Sequence, residues 1–167
     1  MNTSGEPLER LTPKCYRPSA HSAAISGETY ETDRLYRDWK LISVAHEAGN
    51  NNDLRALLGN DVAIKAYREG KLPFPDGTII ARLVWSYLAS EENNKVFGRP
   101  QSFVAGDPIN LQFMVKDSRK YAATGGWGFA QFKDGKPAGE ALLKTCFPCH
   151  EPAKAQDLVF THYSPSP

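Results

Sequence analysis

Two cysteines and a histidine near the end of the chain have the side-chain types and the spacing for covalent and metal chemistry. They stand in the run Cys146-Phe147-Pro148-Cys149-His150. Cysteines three positions apart can each form a thioether bond with one vinyl group of haem, and the histidine that follows can present its imidazole to the iron. The pattern therefore predicts covalently attached haem c as the cofactor, with Cys146 and Cys149 as attachment residues and His150 as the iron ligand.

Two other interpretations of the cysteine pair stay open from spacing alone. A four-ligand zinc site normally has a second closely spaced pair, and here it would have to recruit Cys15 or His162 without any spacing signal. A thioredoxin-like redox pair is expected to open a helix near the start of a βαβ unit, whereas this pair lies near the C-terminus. Haem attachment is favoured over both.

The composition predicts one globular haem domain. The 167 residues are 41% hydrophobic and 11% aromatic, which suffices to bury a core as well as a cofactor. Twenty basic and nineteen acidic side chains leave a formal net charge of +1, so no nucleic-acid or membrane partner is expected. Residues 1–32 contain several prolines among polar residues and are expected to form an irregular N-terminal arm, followed by the haem domain over residues 33–167.

The expected location is the periplasm. No run approaches the roughly eighteen apolar residues that span a bilayer, and the first residues lack a basic-then-apolar leader pattern. Because covalent haem attachment usually takes place outside the bacterial cytoplasm, we expect a periplasmic protein whose signal peptide is absent from this chain.

Five β-prone segments alternate with turns and short helical stretches. The β-prone segments are residues 41–44, 54–58, 78–85, 109–115 and 125–132. Helices are predicted from a cap at Asn60 or Asp61 to Tyr67, and over residues 138–145 before the haem motif. Since no regular βαβ alternation is visible, the chain is predicted to be α+β, mainly an antiparallel sheet packed with short helices, with haem attached near the C-terminus.

Two details of this pattern make further predictions. Aromatic and small residues alternate over 125–132, which predicts a strand packed closely on a flat group, and residues 157–163 are expected to be extended.

No methionine follows the haem motif, so a sixth iron ligand would have to come from Met114, His21 or His46, each of which is more typical of a packing or surface residue. We therefore expect five-coordinate iron with an open face.

Several separated segments, taken in order, resemble the cytochrome P-460 family, which includes the β-type cytochromes c′. These segments are Phe74-Pro75-Asp76-Gly77-Thr78, Val115-Lys116-Asp117, Gly125-Gly126-Trp127-Gly128-Phe129, the haem motif and Asp157-Leu158-Val159-Phe160-Thr161. The resemblance covers about residues 33–165. It implies a periplasmic, mostly antiparallel β protein, typically a homodimer, that binds one c-type haem through the motif histidine.

The resemblance also implies which distal residues decide the activity. Hydroxylamine-oxidising members link a lysine to the haem, and that lysine corresponds to Arg82, whose guanidinium is a poor nucleophile. Where those members carry a pocket glutamate this chain has Gln112, whose amide does not take up a proton at neutral pH. Arg55 resembles an arginine near the pocket of some members. Arg82 and Gln112 are therefore the candidate functional side chains, with Met114 on the same strand face as Gln112 and Arg55 as a weaker cofactor contact. A surface or propionate-pairing arginine is the alternative for Arg82.

These departures favour binding of nitric oxide or similar nitrogen and oxygen ligands over enzymatic turnover. Oxidation of hydroxylamine to nitrogen oxides is the alternative. A peroxidase-like activity is chemically feasible because an arginine can polarise bound peroxide. A simple electron-transfer cytochrome c with a redox protein partner is the remaining hypothesis.

Overall fold

A single six-stranded sheet organises the part of the chain that the computed structural model describes, residues 36–164. Its strands and helices are, in chain order, β1 (Lys40–Glu47), β2 (Asp53–Gly59), α1 (Asp61–Arg68), β3 (Ile79–Ala89), α2 (Glu91–Phe97), β4 (Phe103–Lys116), β5 (Trp127–Lys133), β6 (Lys136–Pro137), α3 (Glu140–Leu143) and α4 (Cys146–His150). Short 3-10 turns lie at residues 36–38, Ala122–Thr124 and Glu151–Gln156. The predicted arm, with Cys15 and His21, lies outside the described residues.

The strands are arranged in the order in which they occur along the chain, and every neighbouring pair is antiparallel. A sheet with this topology and a few short helices is compatible with the predicted α+β class. The five predicted β segments all lie in or overlap strands β1 to β5. Within residues 36–164, no helix has both the length and the apolar composition required to cross a bilayer.

Helix α1 begins where the sequence predicts. Asn60 is extended, and its side-chain oxygen accepts a hydrogen bond from the backbone N–H of Ala63 at 3.0 Å. The same oxygen accepts from the N–H of Ile79 at 3.1 Å, so this asparagine joins the start of α1 to the start of β3. The helix buries Ala63, Ile64 and Ala66 against the sheet.

Other element boundaries differ from the predictions. Helix α2 was not predicted, because its seven residues are mostly polar and none is buried. Strand β4 is twice as long as the predicted segment, and the helical stretch before the motif is reduced to the four residues of α3. The expectation of an extended tail is wrong at Asp157 and Leu158, which both have positive φ, 52° and 66°.

The sheet has two different apolar faces. On one, which we call the His150 face, Ile80 and Phe129 pack with α1 and with the C-terminal residues Leu158 and Val159. On the opposite face, Phe113 belongs to a smaller buried cluster that includes Tyr36, Ala81, Ala130 and Phe132. Because side chains alternate along a strand, Arg82 and Gln112 lie on the same face as Ile80.

Strand β5 packs on a flat group, as its sequence predicts. A Cβ atom at Gly128 would lie 2.3 to 2.7 Å from carbons of the Tyr121 ring. Only a residue without a side chain lets that ring approach the strand so closely.

Candidate functional site

The cysteine pair lies on helix α4, which directly follows α3. Cys146 is half-buried and packs beside Phe147 against the buried cluster of the His150 face, whereas Cys149 is exposed. Both are free thiols. Residues three apart on a helix share one side, so the two thiols lie on the same side of α4. Burial, and secondarily the neighbouring Cys149, raises the pKa of the Cys146 thiol above its usual value.

The ring of His150 is fixed by one hydrogen bond and two aromatic neighbours. Its Nδ1 lies 2.7 Å from the backbone carbonyl oxygen of Leu158. Since a carbonyl only accepts, Nδ1 carries the proton and donates it, and in the neutral ring Nε2 is left with a free lone pair. The ring centroid is 5.2 Å from those of both Phe129 and Phe160.

The electrostatic surroundings of His150 favour the neutral imidazole that binds metals. Burial lowers the pKa of His150, the charge of Arg82 lowers it further, and the hydrogen bond to Leu158 acts in the opposite direction. Nitrogen ligands of metals in proteins commonly donate their other N–H to a carbonyl or carboxylate in this way, which sets the tautomer and the ring orientation.

A row of hydrogen-bonded polar side chains crosses the His150 face. Arg82 Nη1 donates to Gln112 Oε1, and Gln112 Nε2 in turn donates to Gln131 Oε1 at 2.6 Å. The sheet register places these three residues directly opposite one another on β3, β4 and β5. The oxygen of Gln112 is therefore already used as an acceptor.

The row continues toward β2 and β1 through charged groups. Arg82 Nη2 lies 3.8 Å from Asp53 Oδ2, and Asp53 is buried. Arg55 donates to Asp53 at 2.6 Å and 3.1 Å, and also to Glu47. Arg55 is thus held within the row by two carboxylates, and its predicted role as a cofactor contact stays a prediction.

Arg82 is the member of the row that lies near the haem motif. Burial of most of its side chain lowers the pKa of Arg82, with the charge of Arg55 as the next cause, whereas the carboxylates of Asp53 and Glu47 act in the opposite direction. Its Nε is buried without a hydrogen-bond partner. A buried guanidinium with an unused N–H is suited to an anionic or polar group that enters this region.

These residues fit the requirements of a haem. Two thiols on one side of α4, an imidazole with a free Nε2, and a guanidinium with an unpartnered N–H all belong to the same face of the sheet. The zinc alternative that would use Cys15 is not tested, because Cys15 lies outside the described residues. Among residues 36–164 there is no group of three His, Cys, Asp or Glu side chains arranged to hold one metal ion. In addition, α4 follows a helix and not a strand of a βαβ unit.

The upstream candidates for a sixth ligand have other contacts where the structure describes them. Met114 packs against the buried cluster of the His150 face. His46 stacks on Tyr87 with ring centroids 4.0 Å apart and contacts Asn52 at 3.3 Å. His21 lies outside the described residues.

Two neighbours of His150 were missed by the sequence analysis, and so were three members of the polar row, Gln131, Asp53 and Glu47. The role of the Leu158 carbonyl depends on the turn after the haem motif, which side-chain types do not predict. Phe160 lies in one of the segments that resemble the cytochrome P-460 family, and nothing in its residue type marks it as a neighbour of His150. Gln131 would have been found if the register of β4 with β5 had been known, since it lies opposite Gln112.

The comparison with protein families assigns the chain to one family. The sequence model of the family Cytochrome P460 matches residues 34–161, which is most of the chain. No curated protein matches the chain. A match to this family implies a haem cofactor, and the residues described above fit such a group. The chain belongs to the Cytochrome P460 family, which indicates a c-type haem protein with iron as its metal.

Proposed function

We propose that this chain is a periplasmic mono-haem cytochrome that binds small nitrogen and oxygen ligands, nitric oxide first among them. The haem would be attached covalently through Cys146 and Cys149, with His150 as the proximal ligand. When bound, it would supply an iron centre able to take up diatomic ligands. Location in the periplasm follows from the attachment chemistry, which usually takes place after export.

The observation that carries the proposal is the hydrogen bond from His150 Nδ1 to the Leu158 carbonyl. It leaves Nε2 as the only ring nitrogen able to bind iron, one position along the chain from an attachment cysteine. Met114 and His46 are engaged elsewhere, which favours iron with one protein ligand and an open face.

The polar row supports ligand binding over hydroxylamine oxidation. Oxidation of hydroxylamine requires that protons be removed from the substrate, and neither Arg82 nor Gln112 is a base at neutral pH. The Gln112 oxygen also accepts from Arg82 already. Arg82 can instead donate a hydrogen bond from its unpartnered Nε to a polar group in this region.

Exchange of electrons with a redox protein is compatible with the same site. Cys149 is exposed, so a haem attached there would have an edge near the surface of the molecule. Such an edge allows electrons to enter and leave without passing through the core.

We propose that a second copy of the chain packs on an exposed apolar hairpin. We define this hairpin as the end of β3, helix α2 and the start of β4, with the exposed side chains Leu88, Val96, Phe97, Phe103 and Val104. Val96 is 81% exposed and Phe97 is 54% exposed. Neighbouring apolar side chains that face water on one hairpin favour burial at an interface.

The open iron face can be tested with the exported, haem-loaded protein. We expect a five-coordinate ferrous optical spectrum that changes on addition of nitric oxide or carbon monoxide. Met114→Leu should leave both spectra unchanged, because Met114 belongs to the core, whereas His150→Ala should remove the proximal imidazole signature. A six-coordinate ferrous spectrum that does not respond to either gas would contradict the proposal.

A further inference from the structure

The geometry points to Lys116 and Asp157 as positioning residues for the imidazole of His150. This inference rests on the proposed function, in which His150 binds haem iron. Neither residue touches the imidazole. They hold the turn that contains Leu158, whose carbonyl oxygen accepts the hydrogen bond from His150 Nδ1.

Lys116 and Asp157 form a buried ion pair between the end of β4 and the C-terminal segment. Lys116 is 6% exposed, and its Nζ lies 2.7 and 2.8 Å from the two carboxylate oxygens of Asp157. The ammonium also donates to the carbonyl of Gly125 at 3.1 Å and lies 5.0 Å from the centre of the Trp127 ring. One carboxylate oxygen of Asp157 accepts from the backbone N–H of Phe74 at 2.9 Å. The pair is thus surrounded by partners that hold both charges in place.

The backbone that follows the ion pair needs such anchoring. Asp157 and Leu158 have φ of 52° and 66°, a left-handed conformation that is unfavourable for residues with a side chain. Two consecutive residues of this kind persist only where tertiary contacts outweigh that cost. The Leu158 side chain adds one such contact, since a Cβ at Gly125 would lie 2.8 Å from Leu158 Cδ1.

The position of the Leu158 carbonyl sets how the imidazole donates to iron. An Nδ1–H that is held in a short hydrogen bond makes Nε2 a better donor and fixes the plane of the ring. If the turn relaxed, the hydrogen bond would lengthen, the ring would gain freedom, and Nε2 would become a weaker donor. Lys116 and Asp157 would therefore act on the iron through the carbonyl of Leu158.

Three variants test, in the haem-loaded protein, whether the Lys116–Asp157 ion pair positions the Leu158 carbonyl and through it His150. Lys116→Met removes the ammonium and keeps an unbranched side chain, and Asp157→Asn keeps the acceptor for Phe74 while it removes the charge. The double variant removes both charges, so it leaves no uncompensated buried ion if a single variant does not fold. Lys154→Met is the matched control, because it removes a lysine from an exposed position of the 3-10 turn beside the site.

The measurements are the iron–histidine stretching frequency of the ferrous protein and the reduction equilibrium. In each of the three variants we expect the iron–histidine stretch to shift to lower frequency. At the midpoint potential of the wild type, we expect the ratio of ferrous to ferric protein to be about tenfold higher than in the wild type. Lys116→Arg, which keeps a cation opposite Asp157, should lie between wild type and Lys116→Met. Unchanged frequency and ratio in folded variants would overturn the inference, as would an equal change in Lys154→Met.

Nitrogen-15 spectra of the histidine rings separate this inference from the proposed function. If the wild-type chain carries no haem after correct export, the proposed function fails, but the tautomer of His150 can still be read. In the haem-free protein, the inference expects the proton on Nδ1 in the wild type and a mixture of tautomers in Lys116→Met, and the same tautomer in both proteins would overturn the positioning role. Where iron is bound at Nε2 the proton stays on Nδ1 in every variant, so in the haem-loaded protein the iron–histidine frequency and the reduction equilibrium decide.

Discussion

Arg82 is the residue whose incomplete bonding most clearly indicates a ligand. Its guanidinium is largely buried, one nitrogen donates to Gln112, another lies near Asp53, and Nε has no partner. A charged donor that is removed from water gains most from an acceptor with negative charge. Arg82 should therefore favour anionic or polarised ligands over neutral ones.

Arg82→Met is expected to weaken cyanide binding to the ferric protein about tenfold, because a charged hydrogen bond is lost. Carbon monoxide binding to the ferrous protein should change little, since that ligand carries no charge. Optical titration with each ligand measures the two affinities. Arg119→Met removes an arginine from an exposed position and serves as the control. Equal effects of Arg82→Met on both ligands would show that the guanidinium does not face the ligand.

Sequence reasoning at the residue scale was strongest where the chemistry is local. Cys146, Cys149 and His150 share one short run, so their spacing alone predicts haem as the cofactor, which the family also implies; their roles as attachment residues and iron ligand stay a prediction. Leu158 and Gln131 contribute a backbone carbonyl and a side chain whose roles depend on a turn and on the register of two strands. No pattern of side-chain types marks such groups in a sequence.

At the scale of elements, strand β5 depends on close contact between Gly128 and the Tyr121 ring. Gly128→Ala places a methyl group where that ring stands, so either the ring or the strand must move. We expect a loss of about 1 to 3 kcal/mol in the free energy of unfolding, measured by denaturant titration. Gly139→Ala, where nothing lies within 4 Å of the added Cβ, should change stability by much less.

The loops before β3 and after β4 are joined by Asp76, and this contact predicts a pH dependence. The Asp76 carboxylate accepts from the side chain and the backbone N–H of Ser118, and these bonds lower the pKa of Asp76 below its usual 3.8. The unfolded chain therefore binds a proton more readily than the folded one. The stabilisation is fully present above pH 3.8 and is lost as the pH falls through the folded-state pKa.

Asp76→Asn should therefore be less stable than the wild type at pH 7, and the difference should shrink below pH 3.8. Because Asp76 is close to the surface, the effect is expected to be below about 1 kcal/mol. Thermal unfolding as a function of pH measures it, with Asp107→Asn as an exposed control. A difference that stays constant down to acid pH would contradict the assignment.

The sequence predicted elements well where a local signal marked their ends. Asn60 capped α1 as expected, and the β-branched run after Gly77 became β3. Helix α2 buries no residue, so it left no periodic apolar pattern to detect. The turn at Asp157 and Leu158 was missed because its conformation is held by Lys116, 41 positions away along the chain.

At the scale of the whole molecule, the apolar hairpin makes a prediction about assembly. The double substitution Val96→Lys and Phe97→Gln should convert a homodimer to a monomer, because it places charge and polar groups on the proposed interface. Light scattering coupled to size-exclusion chromatography gives the mass. Val44→Lys changes an equally apolar side chain on β1, 66% exposed, and should leave the dimer intact. A dimer broken only by Val44→Lys would place the interface at the sheet edge instead.

The overall architecture was predictable because it follows from chain order. Without βαβ alternation, successive strands joined by turns and short helices are expected to pair as antiparallel neighbours, and the observed strand order is sequential. What chain order does not reveal is which face of the sheet receives the C-terminal motif. That choice follows from packing of Phe147, Leu158 and Val159 beside Phe129.

Mass spectrometry of the haem-containing peptide from exported protein tests the central claim most directly. We expect the peptide with Cys146, Cys149 and His150 to carry one haem through two thioether bonds, with no other residue of the chain bonded to the porphyrin. A peptide with both thiols unmodified, or joined to each other as a disulfide, would contradict the account.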